Sequence, residues 1–207
     1  MSKVVALSGG IGSGKTTVRT ILDELGAVTV CADAIVHALQ VPGTGILEEI
    51  VEAFGPQVIA DSGELDRPAL ATVVFGDSGA RARLGAIMHP PVIAEMMRQA
   101  QAGVQAQAPL VVLDIPLYFE GQKAESGSAV ARNYDASILV WVPRETQIQR
   151  TVSRDSCTPD EAERRVAAQM PIDEKRGYAT HIIDNSGSFE ATRRQVKTVF
   201  EKLAEPR

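Results

Sequence analysis

Cysteine is scarce: the 207 residues hold two, Cys31 and Cys157. Two thiols furnish no zinc framework, and with no secretory signal pattern at the start they point to a reducing, cytoplasmic setting. Long apolar runs are missing as well. Asp114 interrupts the longest stretch, nothing approaches the ~18 residues of a membrane span, and no membrane partner is expected. Basic charge is in deficit, with 21 Lys plus Arg against 26 Asp plus Glu and a net charge of −5. A general nucleic-acid binder carries a clustered excess of Lys and Arg, so nucleic acid is not expected as a partner. Small anionic ligands, which are bound locally, are not excluded by this balance.

What is present is enough for one globular domain: 44% of residues are hydrophobic and 23% charged. A chain of this size buries roughly 70% of the surface its unfolded form exposes, so neither a disulfide nor a structural metal is needed. Val4 to Leu7, Val28 to Val30, Leu110 to Leu113, Ser137 to Val142 and His181 to Ile183 read as strands. All five are continuously apolar rather than alternating, as a parallel sheet covered by helices on both faces requires. Helical stretches between them make the expected fold class a doubly wound α/β sheet.

The stretch from about residue 34 to 107 exceeds any single crossover helix and predicts a helical insertion. Ile46, Leu47, Ile50, Val51 and Phe54 recur at helical spacing and Gly55 ends the run. Leu70, Val73 and Val74 form a second face after Asp66, and Val92, Ile93, Met96 and Met97 a third, beginning after Pro90-Pro91. Thr158-Pro159-Asp160-Glu161 offers an N-cap, a first-turn proline and a capping-box glutamate for a helix to about Met170. Phe189, Val196, Phe200 and Leu203 make the inner face of a last helix, with Arg193, Arg194 and Lys197 solvated. Gly121 to Asn133 reads as a surface loop.

Chemistry enters with Gly9-Gly10-Ile11-Gly12-Ser13-Gly14-Lys15-Thr16, which fits Gly, four residues, Gly-Lys-Ser/Thr, between a predicted strand and a predicted helix. Glycines let successive backbone N–H groups turn in around a phosphate, and the helix adds the positive end of its dipole. Lys15 then reaches the β- and γ-phosphates of ATP, and the Thr16 hydroxyl is a Mg²⁺ ligand. No Asn-Lys-x-Asp or Thr-Lys-x-Asp guanine signature occurs, which counts against a GTPase. One such loop, a helical insertion after the second strand and an Arg-bearing segment after the fourth are the layout of small-molecule phosphotransferases, by analogy of architecture.

Ala32-Asp33, Gly63-Glu64-Leu65-Asp66-Arg67, Leu84 to His89-Pro90, Pro116-Leu117-Tyr118-Phe119-Glu120 and Gln149-Arg150, taken with the loop, resemble the dephospho-CoA kinase family in order and spacing, from about Val4 to Gly187. Cys31 departs from the family, which usually carries an acid there. So does Leu117-Tyr118, where Leu-Leu or Leu-Phe is usual, and the 121–133 stretch looks longer than usual. The resemblance implies a P-loop NTPase fold and one kinase domain over residues 3–204. Its core would be 3–33, 108–143 and 177–204, with an acceptor-binding insertion at 34–107 and a lid at 144–172. It implies ATP and Mg²⁺ as cofactors and phosphorylation of the ribose 3′-hydroxyl of dephospho-CoA, the last step of coenzyme A synthesis. Another small-molecule kinase is the nearest rival; a nucleotide-dependent binding module is a rival of another class.

Residue roles follow in the same terms. Asp33, at the carboxyl end of the second strand, either takes or orients the acceptor's hydroxyl proton or simply caps the helix from Ala34 to Leu39. Asp114, at the end of the third strand, either holds a Mg²⁺ water or is a turn residue. Arg150 and Arg154, four apart, share one helix face that is either solvated or closes over ATP, where Arg150 would meet the transferring phosphoryl group. Gly10, Ile11, Gly12, Ser13, Gly14, Lys15, Thr16 and Thr17 are the expected nucleotide contacts, with Arg154, and with Asn185 reading the adenine edge. Arg67, His89, Pro116 and Leu117 are expected, by the resemblance, beside the acceptor. For Arg67 the competing reading is an ion pair with Asp66 or Glu64.

Overall fold

A computed structural model describes residues 2–123 and 134–205. Most of the expected 121–133 loop lies outside the described residues. In chain order the elements are β1 (Lys3–Gly9), α1 (Lys15–Glu24), β2 (Val28–Cys31), α2 (Ala32–Leu39), α3 (Gly45–Phe54), α4 (Arg67–Phe75), α5 (Ser78–Gln105), β3 (Leu110–Asp114), α6 (Tyr118–Lys123), β4 (Ala136–Trp141), α7 (Arg144–Asp155), α8 (Pro159–Ala167), α9 (Ile172–Lys175), β5 (His181–Asp184) and α10 (Phe189–Ala204). The chain divides into two compact units, Cys31–Arg98 and the remainder.

In the larger unit the sheet runs β2-β3-β1-β4-β5. β1 lies parallel to β3 and to β4, with Leu7 opposite Asp114 and Ile138, and β4 is parallel to β5. Continuous apolar strands bury both faces. Val5, Leu7, Val112, Ile138, Val140 and Ile183 meet Val18, Ile21 and Leu22 of α1 and Val196, Phe200 and Leu203 of α10. Residues of opposite parity, Ala6, Val111, Leu113 and Leu139, are equally buried. Each large aliphatic side chain buried this way stabilises the fold by about 1.5–3 kcal/mol. The expected inner-face Phe189 is an exception, half exposed at the first position of α10. One residue earlier the Ser188 hydroxyl accepts from Ala191 N–H at 3.3 Å as the N-cap of α10. Ser188→Ala should cost about 1 kcal/mol, read as a lower urea midpoint with an unchanged slope.

The Cys31–Arg98 unit is built on its own apolar cluster, in which Leu47, Ile50 and Phe54 of α3 pack with Val58, Leu65, Leu70, Ala80 and Met88. The Thr44 hydroxyl caps α3 and the Asp66 carboxylate caps α4. Pro90 and Pro91 differ from expectation: they lie inside one 28-residue helix rather than before a new one. Prolines remove the N–H groups that would bond the Ala86 and Ile87 carbonyls. The apolar stripe of Leu84, Ile87, Met88 and Val92 continues across them against the same cluster, so packing on both sides holds the helix where local propensity would end it. Among the described residues no helix is long and apolar enough to cross a membrane.

Candidate active site

The carboxyl ends of β1, β3 and β4 frame the glycine loop. Gly12 and Gly14 have φ of 72° and 80°, values that side-chain-bearing residues rarely adopt, so the loop needs glycine there. Gly14 is the N-cap of α1. Within the loop, Ser13 N–H bonds Gly10 C=O at 3.1 Å and Ile11 N–H is taken by Gln169 Oε1 at 2.9 Å. The N–H groups of Gly12, Gly14, Lys15 and Thr16 have no hydrogen-bond partner among the described residues. Four free donors at the start of a ten-residue helix make a site for an anion. The amides of Ile11 and Ser13, both among the expected nucleotide contacts, are engaged within the protein. Thr17 N–H likewise bonds Gly14 C=O at 3.0 Å.

Lys15 closes an ion pair with Asp114, whose carboxylate is 3% exposed and also accepts from Arg19 Nη1 at 3.3 Å. Register explains the meeting: Asp114 ends β3 beside Leu7 of β1, and Lys15 opens the helix that β1 leads into. Asp114 is thus the anionic partner of two cations. Thr16 is exposed and its hydroxyl has no hydrogen-bond partner among the described residues. A hydroxyl and a carboxylate are hard oxygen donors, which fits Mg²⁺, an ion that keeps water and phosphate oxygens for the rest of its shell.

Side chains from distant elements hold the loop. Gln147 of α7, 2% exposed, donates from Nε2 to Ile11 C=O at 2.8 Å, so both polar groups of the Ile11 backbone are bonded by glutamine amides. A Cβ on Gly10 would overlap Gln147 Nε2, and one on Gly12 would press on the Gln147 backbone. Asn185 Nδ2 donates to Ser13 C=O at 2.8 Å, and Asn185 Oδ1 accepts from Thr192 Oγ1 at 2.9 Å. With both ends of its amide bonded within the protein and only 8% of the residue exposed, Asn185 holds the loop.

Arg150 donates from Nη2 to Asn185 C=O at 2.9 Å, which sets its guanidinium beside Gly14. Arg154 turns elsewhere. It bonds Asp155 through Nε at 2.7 Å and Nη2 at 3.0 Å, and that contact is the main reason the Asp155 carboxyl lies below its usual range. Being four apart does not send both arginines to one target. The capping box of α8 is also half formed: Thr158 accepts from Glu161 N–H at 3.3 Å, but the Glu161 carboxylate pairs with Arg165.

Pro116 C=O accepts from Ser8 Oγ at 3.0 Å, and Leu117 is 51% exposed just after β3. In the smaller unit, Asp33 sits in the first turn of α2, whose N-cap is Cys31, so the capping role expected for Asp33 does not hold. Its carboxylate is exposed and has no partner among the described residues. Arg67 donates to Gln40 Oε1 at 3.1 Å and forms no ion pair with Asp66 or Glu64 among those residues. His89 is exposed on α5. Sequence reading missed Arg19, Gln147, Gln169 and Thr192. Arg19, Gln147 and Gln169 have no local signature, since they act across 95, 136 and 158 residues of chain, and no spacing rule marks Thr192, seven residues from Asn185.

Comparison with known proteins bears on the family and the fold. A family model described as dephospho-CoA kinase matches residues 3–191. A dephospho-CoA kinase of Symbiobacterium thermophilum is 47% identical over 198 residues, covering 96% of this chain and 80% of that one. Another, of Carboxydothermus hydrogenoformans, is 38% identical over 199 residues, covering 96% and 93%. A crystal structure of a Thermus thermophilus protein superposes with a TM-score of 0.80 at 34% identity over 98% of both chains. The five-stranded sheet, the loop it carries and these matches along nearly the whole length place the chain in the dephospho-CoA kinase family, with the P-loop NTPase fold.

Proposed function

We propose that this chain phosphorylates the ribose 3′-hydroxyl of dephospho-CoA from ATP by direct in-line transfer, without a phosphoenzyme, in the cytoplasm. The observation that carries the reading is the set of free amides at Gly12, Gly14, Lys15 and Thr16 with Lys15 beside them, on a chain of this family. The amides and the helix dipole grip the triphosphate. Lys15 exchanges Asp114 for phosphate oxygens, a move that Arg19 supports by remaining as a counter-cation for Asp114. Thr16 with Asp114 would hold Mg²⁺, which would neutralise charge at the phosphates. Arg150, whose planar fork suits phosphoryl oxygens, meets charge that develops in transfer.

The segment 34–107 takes the acceptor, with Asp33 receiving or orienting the 3′-hydroxyl proton and Arg67 and His89 binding acceptor phosphates. Leu117, exposed, offers the acceptor an apolar contact beside the partly buried Pro116. The segment 144–172 acts as a lid, excluding water so that ATP is not hydrolysed uselessly. Catalysis is then positioning and charge stabilisation. An acceptor panel incubated with labelled ATP tests the assignment: dephospho-CoA alone should gain a 3′-phosphate. Comparable labelling of nucleosides, nucleotides or sugars would transfer the reading to another small-molecule kinase, and ATP hydrolysis with no labelled acceptor would favour a binding module.

A further inference from the structure

We infer that Gln147 and Gln169 act as a donor–acceptor clamp on the Ile11 backbone that holds the phosphate loop in its ATP-binding form, and that Glu120 and the buried Lys175 set the position of Gln169. This deepens the reading of the loop as the ATP site and rests on it. The two amides have opposite polarity. Gln169 Oε1 accepts the Ile11 N–H at 2.9 Å, while Gln147 Nε2 donates to the Ile11 C=O at 2.8 Å. A backbone N–H aimed at Gln169 is turned away from the nucleotide, and the neighbouring Gly12, Gly14, Lys15 and Thr16 amides are the ones left free.

Gln169 is itself fixed from behind. The next residue, Met170, gives its N–H to Glu120 Oε1 at 3.2 Å, and the same oxygen lies 2.7 Å from Lys175 Nζ, whose side chain is fully buried. Burying an ammonium is costly without a counter-ion, and the Glu120 pair ties the stretch after α8 to α6. A second ion pair, Lys123 with Glu174 at 2.5 Å, joins the same two helices, α6 and α9. The chain of contacts therefore runs from α6 to α9, to Gln169, to the loop. Glu120 pairs with Lys175 and accepts from the Met170 backbone, and the two act on the loop only through Gln169; they are positioning residues, as are the glutamines.

Polarity gives a test that packing alone would fail. A glutamate matches glutamine in shape and can accept but not donate. Gln169→Glu keeps the acceptor facing Ile11 N–H, whereas Gln169→Leu removes it and leaves a donor unpaired, worth about tenfold in affinity. Calorimetric titration with MgATP should give a Kd about tenfold weaker for Gln169→Leu and within about threefold of wild type for Gln169→Glu, while KM for dephospho-CoA stays unchanged in both. Gln147→Glu, which sets an oxygen against the Ile11 carbonyl, should bind at least about tenfold more weakly than Gln169→Glu despite carrying the same added charge. Equal affinities for the Gln169 pair, or a loss confined to dephospho-CoA, would overturn the clamp. Lys15→Ala in the same titration keeps the two readings apart: if it retains full ATP affinity, the loop as ATP site fails; if it loses affinity while the Gln169 variants are alike, only the clamp fails. Gln169 is part-exposed, so its variants decide the matter even if buried Gln147 tolerates no change.

Discussion

Lys15→Ala is expected to lower kcat by about a thousandfold and to weaken ATP binding in step, since the ammonium serves bound phosphates and developing charge alike. In a water-excluded site a unit charge a few ångströms from phosphoryl oxygens counts for much more than the ~1 kcal/mol it would have in water. The fold responds too, through Asp114. That carboxylate is 3% exposed, and without Lys15 its remaining cation is Arg19 at 3.3 Å. Breaking a buried pair costs about 3–5 kcal/mol when one charge is left alone. Arg19 should hold the loss below that, and the variant should stay folded with a lower thermal midpoint. Adding Asp114→Asn removes the under-compensated charge and should restore part of the midpoint while restoring none of the turnover. Steady-state kinetics and thermal melts on the single and double variants separate the two effects. A folded Lys15→Ala protein turning over within about tenfold of wild type would take the loop out of the chemistry.

The division between what the sequence made legible and what it hid follows the range of each interaction. The inner strands could be read because burial on both faces leaves a continuous apolar run in β1, β3 and β4, while the edge strands β2 and β5 are short and partly exposed. The loop could be read because two positive-φ glycines and a lysine at fixed spacing answer to local backbone geometry. α5 could not, since Pro90-Pro91 is a strong local stop and only the cluster beneath Leu84 to Val92 overrides it. The hold that Asn185 has on the loop could not be read, because a turn-favouring Asn-Ser-Gly does not announce that its amide bonds Ser13 and Thr192. Gln147 and Gln169 reach Ile11 across 136 and 158 residues of chain, and no spacing rule marks such a pair. Arg150 and Arg154 share a helix periodicity, yet Asp155 next door captures Arg154, a nearer and oppositely charged partner than any across the site.

Asp33→Asn is expected to reduce kcat by about a hundredfold to a thousandfold with KM for ATP nearly unchanged, because asparagine keeps the size and polarity of the side chain but cannot receive a proton. The competing role is structural, and the structure limits it. Cys31 rather than Asp33 is the N-cap of α2, and no side-chain capping bond is made there. What remains is the favourable charge of an acid in the first turn of an eight-residue helix, worth about 0.3–1 kcal/mol when exposed. Such a loss moves a melting midpoint by a few degrees and leaves the rate alone. The two roles therefore separate cleanly: a proton-handling carboxylate loses rate with little change in stability, and a helix-end carboxylate does the reverse. ATP titration of the same variant supplies the control, for binding at the loop should match wild type. A purified Asp33→Asn enzyme at wild-type rate would leave the carboxylate with only its helix to serve, and the acceptor hydroxyl would then need no protein base, its proton passing directly to the transferred phosphoryl group or to water.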